Sequence, residues 1–97
     1  MRLRWQSHAV EDLASVRSYV AADDPTAARR LVTTLLTFVQ EQLTTFPHSG
    51  RTGRIDGTRE LVVPRTPFIV AYRIKDETID ILAVHHTARK WPERFEE

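Results

Sequence analysis

The chain has 97 residues, 41% of them apolar, and no cysteine, which excludes disulfides and thiolate chemistry and fits a reducing compartment. One domain is expected at this length, with a core that buries only about two thirds of the unfolded surface. No stretch reaches the roughly 18 apolar residues of a membrane span, and the N-terminus lacks an apolar signal-like run, so a soluble cytoplasmic protein with no membrane partner is expected. The net charge of +1 hides an uneven distribution: residues 51–75 carry Arg51, Arg54, Arg59, Arg65, Arg73 and Lys75 against Asp56 and Glu60, a local excess of +4 (6 − 2). Such a patch suits phosphate or an acidic partner; the plain alternative is a set of solvated arginines at strand edges.

Arg2-Leu3-Arg4-Trp5 alternates polar and apolar, which predicts a short strand with Leu3 and Trp5 inward. Ser7 is placed to cap a helix, with Glu11 and Asp12 near its positive end. Ala9, Leu13, Val16 and Val20 form its apolar stripe. Asp24 then reads as an N-cap and Pro25 as the first residue of a second helix, whose stripe runs Ala28, Leu31, Leu35, Phe38 or Val39, Leu43, Phe46 before Pro47 stops it. About 21 residues give a helix of roughly 30 Å. The short link between the two predicts an antiparallel helical hairpin.

Residues 47–57 hold all three glycines and read as a loop. Candidate strands follow at 58–63, 68–75 and 78–85, with Lys75-Asp76-Glu77-Thr78 as a polar hairpin turn. In the middle strand Phe68, Val70, Tyr72 and Ile74 share one face, and Ile69, Ala71, Arg73 and Lys75 the other. The last strand is nearly all apolar and is expected to lie inside the sheet. The expected class is α+β: an N-terminal strand, a helical hairpin, then a three-stranded antiparallel sheet covered on one face by the helices.

Several short pieces fall in a recognisable order. They are Trp5 with Ala9 and Asp12-Leu13; Tyr19; Asp24-Pro25 with Ala27-Ala28; Phe46-Pro47 with Gly50-Arg51 and Gly53-Arg54; Gly57-Thr58-Arg59-Glu60-Leu61-Val62; Tyr72-Arg73; and Ile81-Leu82, Val84-His85-His86, Ala88-Arg89 and Trp91-Pro92. Over nearly the whole chain this resembles the RelE/ParE superfamily of toxins from bacterial type II toxin–antitoxin modules. The resemblance implies a small toxin held inactive by a cognate antitoxin in a toxin–antitoxin hetero-oligomer. It implies one of two targets: the ribosome with its mRNA, cut by RelE-like members, or DNA gyrase, the target of ParE-like members.

RNA cleavage by the 2′-hydroxyl needs a base, an acid and cations for the developing charge. In the RelE pattern an arginine precedes a Leu-Val-Tyr on the middle strand; here Ile69 stands before Val70-Ala71-Tyr72. The preceding strand has no lysine, and the tail Trp91-Pro92-Glu93-Arg94-Phe95-Glu96-Glu97 has no tyrosine. These departures favour the gyrase mode. The rival reading, a metal-independent endoribonuclease, would draw on Arg73, His85, His86 and Arg89, since histidine titrates near neutrality. Only one of two adjacent histidines on a strand can face the open side. Their structural alternative is that one caps the strand edge and the other packs under the tail.

Arg51, Arg54, Arg59 and Lys90 are candidate contacts to the target or to phosphate. For Arg59 a structural role, holding the glycine-rich loop or the tail, is an equal alternative. Trp91-Pro92 reads as a hydrophobic clamp for the tail and Tyr72 as packing. No cofactor is expected. No metal site is expected either, because the two histidines cannot reach one ion from a regular strand and no carboxylate cluster joins them. A third reading is a non-toxic relic that retains only the antitoxin-binding surface.

Overall fold

The computed structural model describes residues 1–95; Glu96 and Glu97, the end of the expected tail, lie outside them. In chain order the elements are β1 (Arg2–Trp5), α1 (Ser7–Ala21), α2 (Pro25–Thr45), β2 (Arg51–Thr52), β3 (Arg59–Val62), β4 (Phe68–Lys75) and β5 (Thr78–His86). The strands form one sheet in the order β1-β5-β4-β3-β2. The α+β class and the helical hairpin are as expected. The sheet is larger than three strands because β1 joins it in parallel with β5, from Arg2↔Thr78 to Trp5↔Ile81. The loop also contributes a two-residue strand, pairing Arg51 with Glu60 and Thr52 with Arg59. The alternation of β1 is legible in the chain but its parallel partner is not, and the two residues of β2 are too few to carry a period.

Asp24 caps α2 as expected, its carboxylate accepting the Thr26 and Ala27 N–H groups at 3.1 Å, with Pro25 opening the helix. For α1 the expected cap is corrected. Ser7 is already helical, Gln6 is the cap residue, and its side chain makes no capping bond. Phe46 is a second correction. It lies past the end of α2 at φ −131°, and it is 60% exposed instead of completing the buried stripe. A residue before proline is driven out of helical geometry, which turns the ring away from the core.

The main core lies between the hairpin and one sheet face. Ala9, Leu35, Val39 and Leu43 from the helices meet Leu61, Val70, Tyr72, Ile79 and Ile81 from the strands. Leu3, Trp5, Leu13, Val16, Phe38 and Ile74 pack around them. The opposite face is also dry: Ile69, Ala71, Leu82 and Ala83 are all buried. A bulge sits here, where the register steps from Ala71↔Ala83 to Tyr72↔Ile81 and leaves Leu82 extra on β5. Neither helix lies on this side; the tail and the 51–58 segment cover it.

The β3–β4 connection is tight. Val63 C=O accepts from the Thr66 N–H at 3.3 Å, Pro64 takes the second turn position, and Arg65 is forced to φ 61°. That left-handed position favours glycine. Arg65→Gly is therefore expected to raise stability by up to ~1 kcal/mol, and the β-branched Arg65→Val to lower it by ~1–2 kcal/mol. Urea unfolding of the two variants checks the opposite signs.

Candidate functional site

The sheet sorts the candidate residues by face. His85 pairs with Ile69 and lies on the open side, its ring 4.5 Å from that of Trp91. His86 pairs with Phe68 and lies on the helix side, its ring edge-on to Phe68 at 5.3 Å. Both histidines are hydrogen-bonded. His85 Nε2 is 3.0 Å from the Arg89 carbonyl, so that nitrogen carries the proton. His86 Nδ1 accepts the Ala88 N–H at 3.0 Å, so that nitrogen is unprotonated. Each ring anchors the turn after β5, one from each side.

The cations divide in the same way. Arg73 stands on the open face and borders a recess there. Arg89 borders a groove on the other side, between α1 and the end of β5, with Val16, Val20, Phe68 and His86. Arg73 and His85 thus lie on the open face, four positions apart along β4, and Arg89 and His86 border the groove on the other side, so the four do not form one cluster. Lys90 is exposed on the tail.

The basic loop is organised by an acid to which sequence reasoning assigns no role. Glu60 projects from β3 onto the open face, and its side chain is 1% exposed. Arg51 donates to it through Nε at 3.2 Å and Nη2 at 3.1 Å. The Arg54 backbone N–H donates at 2.8 Å, and Arg54 Nε approaches to 3.7 Å. A buried carboxylate requires such compensation. The signal that could have found it is a single Glu inside an apolar strand, with two arginines three apart in the preceding loop.

Arg54 continues outward and lies 4.2 Å above the Trp91 ring. Trp91 is therefore held between a guanidinium and an imidazole, with Phe95 edge-on at 5.9 Å. Ile69 lies beneath this cover at 3% exposure, so the position where the RelE pattern sets an arginine is closed to solvent. Arg59 plays a structural part. Its Nη1 donates to the Gly50 carbonyl at 2.9 Å and the His48 carbonyl at 3.2 Å, which closes the glycine-rich loop.

Tyr72 locks the same loop from the core side. Its hydroxyl donates to the Pro47 carbonyl at 2.8 Å and accepts the Gly50 N–H at 2.9 Å. Burial pushes the phenol above its ordinary pKa, against smaller opposing pulls from the Gly50 N–H and Arg59, so it remains a donor.

Asp12, expected to serve the helix dipole, instead accepts the Val84 N–H at 2.9 Å. The strand β1 ends at Trp5, opposite Ile81, so the edge of β5 beyond it has no strand neighbour among the described residues and α1 supplies an acceptor. Burial raises the Asp12 pKa, opposed by the Val84 bond and by His8 and His85, while Glu11 adds to the rise. The folded chain thus retains a proton that the unfolded chain releases near about pH 3.9. Stability from this group is complete below that value and falls as pH rises through the folded pKa. Asp12→Asn, whose amide oxygen can accept the same bond, is expected to flatten this pH dependence without lowering stability at neutral pH. Asp12→Ala leaves the Val84 N–H without its acceptor and should cost about 1–2 kcal/mol. Urea unfolding at a series of pH values from mildly acidic to neutral checks both.

Among the described residues no helix is long and apolar enough to cross a membrane, and no three His, Asp or Glu side chains gather where they could hold a metal.

Comparison with known proteins places this geometry. Residues 3–91 match the family model described as ParE toxin of type II toxin-antitoxin system, parDE. The chain is 42% identical over 92 residues to a protein named putative toxin Y4kP from Sinorhizobium fredii, covering 95% of this chain and 94% of that one. It is 31% identical over 85 residues to toxin RelE2 of Caulobacter vibrioides, covering 88% and 93%. A solved structure of the chromosomal ParDE TA system from P. aeruginosa superposes with a TM-score of 0.81 at 29% identity, covering 89% of this chain and 95% of that one.

Proposed function

The chain belongs to the ParE toxin family of type II toxin–antitoxin systems, and from that premise we propose that it arrests growth in the cytoplasm by acting on DNA gyrase and is neutralised by a cognate antitoxin. The match to the parDE toxin model across residues 3–91 carries the reading. The choice of target is supported by Ile69, which is buried where RelE chemistry would want a cation. It is also supported by the division of Arg73 and Arg89 between the two faces.

The antitoxin is proposed to lay an apolar segment into the groove between α1 and the end of β5. Tyr19 there is 80% exposed above Val16 and Val20, and Arg89 at the rim would meet an acidic side chain. Ordering of such a segment on contact is coupled folding and binding. The second reading, ribosome-dependent mRNA cleavage, has one observation in its favour: Arg73 and His85 share the open face.

Purified protein incubated with gyrase, ATP and supercoiled plasmid is expected to accumulate cleaved DNA. Unchanged gyrase activity, together with codon-positioned cuts in mRNA from arrested cells, would transfer the assignment to the ribonuclease. Normal growth of cells expressing the chain without its partner would refute both.

A further inference from the structure

The outer face of α2 is unlike the rest of the surface. Charged side chains make up 28% of the chain, yet residues 31–47 hold a single one, Glu41. Thr33, Thr34, Thr37, Gln40 and Thr44 are nevertheless exposed there, and Leu36 is 40% exposed. A helix face that meets only water is ordinarily built from Lys, Glu and Arg, which favour the helix and solvate it. Threonine disfavours the helix, by up to about 0.7 kcal/mol per residue, because its branched side chain loses rotamer freedom. A patch depleted of charge has instead the composition of the centre of a protein interface.

The spacing on this face is regular. Half-buried Ala27 and exposed Arg30, Thr34, Thr37, Glu41 and Thr44 follow one another at intervals of three, four, three, four and three. That is the 3.5-residue period by which two helices pack side by side. The series is also symmetric about its midpoint, between Leu35 and Leu36. Two copies of α2 laid antiparallel on that midpoint set Thr34 against the partner's Thr37, Arg30 against the partner's Glu41 and Ala27 against the partner's Thr44, each contact made twice. The charges are complementary and otherwise unused. Neither Arg30 nor Glu41 has an opposite charge three or four positions away in α2, and among the described residues neither joins an ion pair. The Thr44 hydroxyl donates to the Gln40 carbonyl of its own helix at 2.6 Å, so covering it leaves no hydroxyl unmet.

We propose that α2 is a self-association face, on which two copies of the chain pair antiparallel about a two-fold axis between Leu35 and Leu36. The contact is confined to helices of 21 residues, each about 30 Å long. Its area falls below the roughly 1,200 Å² of a standard stable interface, so the dimer is weak, with a dissociation constant on the order of 10–100 μM. None of the residues lining the groove beside α1 belongs to α2. The pairing therefore rests on neither the antitoxin nor the gyrase reading, and each can fail alone.

The test is sedimentation velocity of the purified chain from about 5 to about 200 μM, which is expected to shift the 11.2 kDa monomer towards a dimer. Arg30→Glu and Glu41→Arg each set like charges against one another and are expected to weaken the dimer at least about tenfold. The double variant restores opposite charges and is expected to return to within about threefold of the parent. Both positions are exposed, so unchanged melting temperatures are expected throughout. The chain has no cysteine, so Ala27→Cys and Thr44→Cys each add a unique thiol. In the antiparallel pair the two positions face each other, whereas each lies about 26 Å from its own copy in the partner. Mild oxidation is expected to cross-link the mixture of the two variants and neither variant alone. A monomer over the whole concentration range, cross-linking of one variant alone as fast as the mixture, or a double reversal no tighter than the single ones would overturn the proposal.

Discussion

Glu60→Ala is expected to cost about 2–4 kcal/mol, because it removes the shared acceptor of the Arg51 guanidinium and the Arg54 N–H at a buried position, while the two half-exposed guanidinium groups regain part of their hydration. Small domains have only about 5–15 kcal/mol in total. At this size the loss corresponds to a fall in melting temperature on the order of 20 °C. Glu60→Gln keeps an acceptor for the Arg54 N–H but loses the charge opposite two arginines, and should fall between the parent and Glu60→Ala. Thermal and urea unfolding of the three proteins read this order directly. An alanine variant within ~1 kcal/mol of the parent would mean that the arginines find water as readily as they find Glu60. The consequence reaches the open face as well. Arg54 covers Trp91, and its backbone anchors the loop that walls the recess, so the loop and tail should loosen together in Glu60→Ala.

The second large effect is expected at Tyr72. Removing one hydroxyl in Tyr72→Phe leaves both the Gly50 N–H and the Pro47 carbonyl without partners. At about 1–3 kcal/mol for each unmet group, the combined loss should approach 2–4 kcal/mol. Gly50→Ala attacks the same contact from the other side. Its new Cβ would lie 2.6 Å from both the Tyr72 hydroxyl and the ring edge, costing about 1–3 kcal/mol through overpacking. Because the two changes damage one contact, their costs should not add; a double-mutant cycle is expected to show coupling of at least ~0.5 kcal/mol. Strict additivity would mean that the loop is held by Arg59 alone, through the Gly50 and His48 carbonyls.

Both networks show where local reading succeeds and where it stops. Asp24-Pro25 announces the start of α2 because a capping side chain acts on its own next few residues. The alternation through β4 places Tyr72 inward because side-chain direction follows from strand period. The departure at Ile69 is visible in the chain, and its burial under the tail gives it a physical consequence. The same period shows that His85 and His86 must separate, but not which one faces the open side. That is decided by the bulge at Leu82, which shifts the register of β5 against β4. In the chain Glu60 is only a charge beside Arg59. Its partners Arg51 and Arg54 lie nine and six positions away, across a strand pair of two residues too short to carry a pattern.

The two amphipathic helices, the apolar strands, the family resemblance and the missing RelE cation can all be read along the chain, since each rests on residue identity or on a period of a few residues. The parallel pairing of β1 with β5, the capture of the β5 edge by Asp12, the burial of Glu60 beneath two arginines and the tail folded over the open face emerge only in the assembled fold. Each joins segments that share no local period, through a buried charge, an unpaired strand edge or a stacked ring whose partner is chosen by shape and desolvation once the core has formed.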